Sequence, residues 1–75
     1  MDDTTYIKVQ RCKRQKAEAL DLSSSNISLV PGDIYTLNCL KELDLSNNRL
    51  TTLDENIGNL TQLNWLNLEN NCLKE

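Results

Sequence analysis

The feature that most constrains this chain is a match to itself at a spacing of 23 residues. Residues 40–62, LKELDLSNNRLTTLDENIGNLTQ, carry Leu40, Leu43, Leu45, Leu50, Leu53, Ile57 and Leu60. One period earlier the same positions hold Ala17, Leu20, Leu22, Ile27, Val30, Ile34 and Leu37, all apolar. One period later, Leu63, Leu66, Leu68, Asn71 and Leu73 answer Leu40, Leu43, Leu45, Asn48 and Leu50. A fixed period over most of a sequence means that one small unit stacks on copies of itself, because no single unit can bury its own apolar side. The chain therefore divides into a leading segment, 1–16, and repeats at 17–39, 40–62 and 63–75, the last incomplete.

Each unit opens with a period-2 alternation, Leu20 and Leu22 against Ala19, Asp21 and Ser23, which predicts a short strand with leucines inward. Where the chain leaves the strand, unpaired backbone groups need a polar partner. Asn48 and Asn71 stand at that position; the first repeat has Ser25, whose shorter side chain predicts a weaker rung. Pro31 in the first repeat and Asp54 in the second open a short helix or 3₁₀ turn, with Ile34 and Leu37 pointing inward. The unit LxxLxLxxNxL resembles the leucine-rich repeat, and its 23-residue length with a proline-bearing second half is similar to the Ras-suppressor type. The resemblance implies an α/β fold: a short leucine-rich-repeat solenoid with parallel strands on a concave side, short helical turns on the convex side and a helical N-terminal cap. It also implies a ladder of Ser25, Asn48 and Asn71.

Charge is distributed unevenly. Residues 1–16 hold five basic residues, Lys8, Arg11, Lys13, Arg14 and Lys16, against two acids, whereas the rest holds three basic residues against nine acids. Residues 1–3 are expected to fray, and Thr4 or Thr5 to cap a helix reaching about Lys16, with Tyr6, Val9, Cys12 and Ile7 near one face. Such a helix would cover the open end of the first repeat. Val9-Gln10 followed by Arg14 also matches half of a calmodulin-binding motif, but Gln15 and Ala19 break the second half. Nucleic acid is disfavoured as a partner because the body is acidic and only Tyr6 lies among the basic residues.

The 75 residues contain no His, and Cys12, Cys39 and Cys72 are widely spaced without a CxxC pair. No nucleophile–base pair can be assembled from them, and paired carboxylates on an open sheet cannot exclude water, so no enzyme is expected and no cofactor or metal is assigned. No secretory leader or membrane span is expected, and the odd cysteine count points to reduced thiols in the cytoplasm. On that view Asn26-Ile27-Ser28 and Asn59-Leu60-Thr61 match the glycosylation pattern by coincidence, and Cys39 is a partly buried filler.

Equivalent positions in stacked strands form columns roughly 4.7–4.9 Å apart. The outward columns are Ala19, Glu42, Trp65; Asp21, Asp44, Asn67; Ser23, Ser46, Glu69; and Ser24, Asn47, Asn70. The acidic, amide-rich setting of Trp65, formed by Asp21, Glu42, Asp44, Asn47, Asn67 and Glu69, points to a non-catalytic protein-binding face suited to a basic partner segment. Asp21 and Asp44, side by side, are expected to disfavour each other's ionisation. The third repeat supplies a strand and its ladder residue Asn71 but no convex return. Self-association or assembly through that edge, or membership in a larger repeat protein, is therefore the alternative reading.

Overall fold

The computed structural model describes residues 3–73. Helix α1, Asp3–Gln15, leads into three short strands, β1 (Ala19–Asp21), β2 (Glu42–Asp44) and β3 (Trp65–Asn67), with a 3₁₀ helix after each of the first two, Gly32–Thr36 and Glu55–Asn59. The strands form one open parallel sheet in the order β1-β2-β3. Leu20 faces Leu43, and Leu43 faces Leu66, so the pairing register equals the sequence period.

The leucines point inward as their alternation requires. Leu22, Ile34, Leu40, Leu43, Leu45 and Leu50 are fully buried, and Ile27, Leu37 and Leu60 nearly so. Each buried aliphatic side chain contributes roughly 1.5–3 kcal/mol relative to exposure. The middle repeat is covered on both sides, so its Leu40, Leu43 and Leu45 are sealed, whereas their counterparts Leu63, Leu66 and Leu68 are only half-buried.

Helix α1 packs against β1. Its buried face is Thr5, Val9 and Cys12, an i, i+4, i+7 stripe. This corrects the expected face: Tyr6 and Ile7 are 50% and 51% exposed, because they lie about a quarter-turn or more off that stripe. Thr5 is inside the helix and buried, so it does not cap it. Asp3 opens the helix and does not belong to a frayed end, while residues 1 and 2 lie outside the described residues. The C-terminus closes with Lys16 at φ 52°, the Lys16 N–H donating to the Lys13 carbonyl at 3.3 Å and the Ala17 N–H to the Cys12 carbonyl at 3.0 Å. That pair of bonds is the Schellman arrangement, in which the left-handed residue lets the chain turn back toward β1. Gln10 Nε2 donates to Asp33 Oδ2 at 2.9 Å, tying the helix to the first 3₁₀ turn.

Pro31 sits one position earlier than expected, before the first helical turn, with φ −58° and ψ 135°. Asp54 takes nearly the same backbone angles, −66° and 142°, and its carboxylate accepts the Asn56 N–H at 2.8 Å. The ring presets in one repeat what the capping carboxylate stabilises in the other. Cys39 is exposed rather than a partly buried filler, because it sits at the turn into the next strand while Leu40 takes the inward position.

The asparagines hold the turns together. Asn48 Oδ1 accepts the backbone N–H groups of Ser25 (3.0 Å) and Ile27 (3.2 Å), while Nδ2 donates to the carbonyls of Leu22, Leu45 and Ser46. Asn71 repeats this one turn on, accepting the Leu50 N–H and donating to Leu45, Leu68 and Glu69 carbonyls. The Ser25 hydroxyl donates to the Ser23 carbonyl two residues back, at 3.3 Å, and among the described residues it bridges no neighbouring turn. Replacing Asn48 with Ala strands several buried backbone groups and is expected to cost about 3 kcal/mol. The same change at half-buried Asn71 should cost clearly less, an ordering that chemical denaturation of the two variants checks.

Candidate protein-binding face

The outward side of the sheet is built from the residues between the leucines. Register places Ala19, Glu42 and Trp65 in one row and Asp21, Asp44 and Asn67 in the next. Trp65 is 47% exposed, with its backbone N–H anchored on the Lys41 carbonyl at 3.1 Å. Glu42 and Glu69 are exposed, and Asp44 and Asn67 half-buried. Strand pairing thus places Asp21, Glu42, Asp44, Trp65 and Asn67 of the residues singled out from the sequence on the sheet, while Asn47 and Glu69 lie in the bends that follow, the Asn47 N–H donating to the Glu69 carbonyl at 2.9 Å.

Geometry gives one row a structural duty that was not anticipated. Asp21 Oδ1 accepts the Ser23 N–H at 2.9 Å, Asp44 Oδ1 the Ser46 N–H at 2.9 Å, and Asn67 Oδ1 the Glu69 N–H at 3.0 Å. Each side chain caps the bend two residues on, as Asx side chains do. The signal was present as an Asp, Asp or Asn after the first strand leucine of every repeat. Ser46, expected in an outward column, is only 6% exposed because Asn48 Nδ2 and the Ser24 N–H both draw its carbonyl into the stack. Ser24, Asn47 and Asn70 form the last row, all at positive φ of 51° to 58°. Asn70 Nδ2 donates to Asn47 Oδ1 at 2.9 Å, which engages an amide proposed for binding. Short polar side chains suit this backbone because Asn tolerates the left-handed region better than most residues.

The expected mutual suppression of ionisation is not found at Asp21. Hydrogen bonds from the Ser23 hydroxyl (2.6 Å) and the Ser23 N–H hold its carboxyl below the ordinary value of 3.8, Lys8 acting in the same direction and burial against it. Local hydrogen bonds to the ionised form outweigh a like charge across solvent. Lys8 and Arg11 line a shallow groove of about 190 Å³ with Ala19 and Asp21, so α1 gives the β1 end of the face a basic border. The sequence showed the two charge blocks without showing that they meet.

Burial, with Cys39 nearby, pushes the Cys12 thiol up, away from the thiolate. Val9, the anchor of the calmodulin-type half-motif, lies in the core and is closed to a partner. Among the described residues no group of three His, Cys, Asp or Glu is gathered to hold a metal ion. No helix among them is long and apolar enough to cross a membrane.

A depressed folded-state pKa contributes stability above the unfolded carboxylate value and loses it as pH falls through the folded value. Ser23→Ala is therefore expected to move the Asp21 titration midpoint upward, toward 3.8. Side-chain carboxyl NMR measures it; an unmoved midpoint would assign the depression to another group.

The leucine-rich repeat family model matches residues 15–74. A leucine-rich repeat protein of Leptospira interrogans, of known structure, is similar at 27% identity with a TM-score of 0.51, over 85% of this chain. The chain spans 23% of that protein's length. No curated protein matches it in sequence. Leucine-rich repeat domains generally mediate protein–protein interaction and are typically non-enzymatic. With its repeats matched over most of its length and its parallel strands stacked in the same register, the chain belongs to the leucine-rich repeat family.

Proposed function

We propose that the outward, concave face of the sheet captures a protein partner, with Trp65 as its anchor. The observation that carries this is a half-exposed tryptophan on a backbone-fixed strand, with Glu42, Asp44 and Glu69 around it. Tryptophan buries much area with few rotors to freeze, and acids around it favour a Lys- or Arg-bearing segment by steering and register. Because Asp21, Asp44 and Asn67 each spend one oxygen on their own turn, Glu42 and Glu69 are the freer carboxylates of the patch.

In this reading α1 serves as the helical N-terminal cap of a short solenoid, and the repeats are of the Ras-suppressor type, the reading their length and proline-bearing return support. Free cysteines accord with a cytoplasmic setting, and the type's resemblance accords with a scaffold in signalling. A second reading is a structural role in which the half-buried Leu63, Leu66 and Leu68 pack against a further repeat, of a larger repeat protein or of an assembly partner.

Calorimetric titration against extended Lys/Arg-rich peptides tests the concave reading. A peptide that saturates the wild type is expected to bind Trp65→Ala about 30-fold more weakly, corresponding to a hot-spot loss of about 2 kcal/mol. The melting temperature should change by only a few degrees. Equal binding by the variant would remove Trp65 as the anchor.

A further inference from the structure

The row that holds Trp65 descends in size toward α1, from Trp65 to Glu42 to Ala19. Ala19 is exposed, so a single methyl stands where the next two strands carry long side chains, and the outward surface is lowest there. Beside it lies the shallow groove of about 190 Å³, whose lining joins Lys8 and Arg11 of α1 to Ala17, Ala19, Leu20 and Asp21. Lys8 and Arg11, three residues apart on the helix, share one side of it. Among the described residues neither belongs to an ion pair; the one such pair is Lys41 with Glu18, at 3.4 Å. Lys8 is half-buried and Arg11 exposed, so one cation is held against the protein and the other stands in solvent at the groove's mouth. The acid of the lining is Asp21, whose Oδ1 is already committed to the Ser23 N–H and hydroxyl. Two cations against one carboxylate leave an excess of one positive charge at the end of an otherwise acidic face.

Resting on the concave-face reading above, we infer that the Ala19 groove is a carboxylate-binding subsite. It takes an Asp or Glu side chain of the same partner segment whose basic residue lies on Glu42 and whose apolar residue lies on Trp65. A guanidinium beside an ammonium suits this group, because Arg holds a carboxylate through two parallel N–H donors. The excess of one positive charge selects a singly charged anion, since a doubly charged phosphate would leave Asp21 facing net negative charge. The sheet also sets the spacing of the partner's residues. Strands lie roughly 4.8 Å apart, so Glu42 is one step from Trp65 and Ala19 two, while same-side residues of an extended segment recur roughly every 6.8 Å. A segment crossing the strands therefore meets Trp65, Glu42 and the groove, which lies on the α1 side of Ala19, with every second residue. Read away from Trp65, the order of those residues is apolar, basic, acidic.

Titration of the full chain with three synthetic peptides, blocked at both ends and followed by amide NMR shifts, tests this order. All three begin with leucine and carry threonine at every second place. The ordered peptide continues with lysine and then glutamate, the exchanged peptide with glutamate and then lysine, and the third with lysine at both places. The ordered peptide is expected to bind about tenfold more tightly than either of the others. Arg11→Glu is expected to abolish that advantage; Arg11 is exposed, so the change leaves the buried stripe of α1 intact. Equal binding of the ordered and exchanged peptides, or an advantage that survives in Arg11→Glu, would overturn the subsite. Trp65→Ala separates this from the reading beneath it. If that variant binds all three peptides more weakly and charge order never matters, Trp65 stays the anchor and the subsite is overturned. If the ordered peptide keeps both its affinity and its advantage on Trp65→Ala, the subsite stands and the anchor is overturned. No binding by any of the three would overturn both.

Discussion

Everything in this fold depends on one buried amide, that of Asn48. Strands of three residues cannot hold a sheet together by their own ladders, and each must hand the chain to a rim loop without leaving backbone groups bare. Asn48 does this by joining Ser25, Ile27 and Leu22 of one turn to Leu45 and Ser46 of its own. A primary amide offers two N–H donors and, on a separate atom, an acceptor oxygen, where a hydroxyl has a single proton and one atom for both roles. Once that bond set is made, Leu43 and Leu45 before it and Leu50 after it have only one way to face.

Stability is therefore distributed unevenly along the stack. Among the described residues the middle strand is paired on both sides, and β1 is covered by α1 as well as by β2. Repeat proteins behave as sums of unit and interface terms, so the fully covered middle turn contributes most to holding the stack. Trp65, the proposed anchor, is on the third unit, whose Leu66 and Leu68 are half-buried.

The polar rows show how function and folding compete for the same atoms. Asp21, Asp44 and Asn67 look from the sequence like a free acidic column, yet each spends one oxygen on its own turn. Asn47 and Asn70 likewise look free but are paired with each other at positive φ. What remains uncommitted for recognition is narrower than the seven residues first singled out, and it centres on Glu42, Trp65 and Glu69.

The period by itself determined the architecture. Leucine alternation requires parallel strands in a register of 23 residues, and the recurring asparagine requires a rung between turns; both are local patterns that repetition makes unambiguous. The leading segment was legible only in outline, because a single helix carries no repeat to average over. Thr5 rather than Tyr6 or Ile7 completes its buried face, a choice made by the shape of the β1 edge it meets. Only the tertiary structure decided that Ser46 sinks, that Cys39 surfaces, that Lys8 stands near enough to Asp21 to favour its ionisation, and how far Leu66 and Leu68 remain open. Those outcomes depend on distances between segments far apart in the chain, and spacing along a sequence carries no information about them.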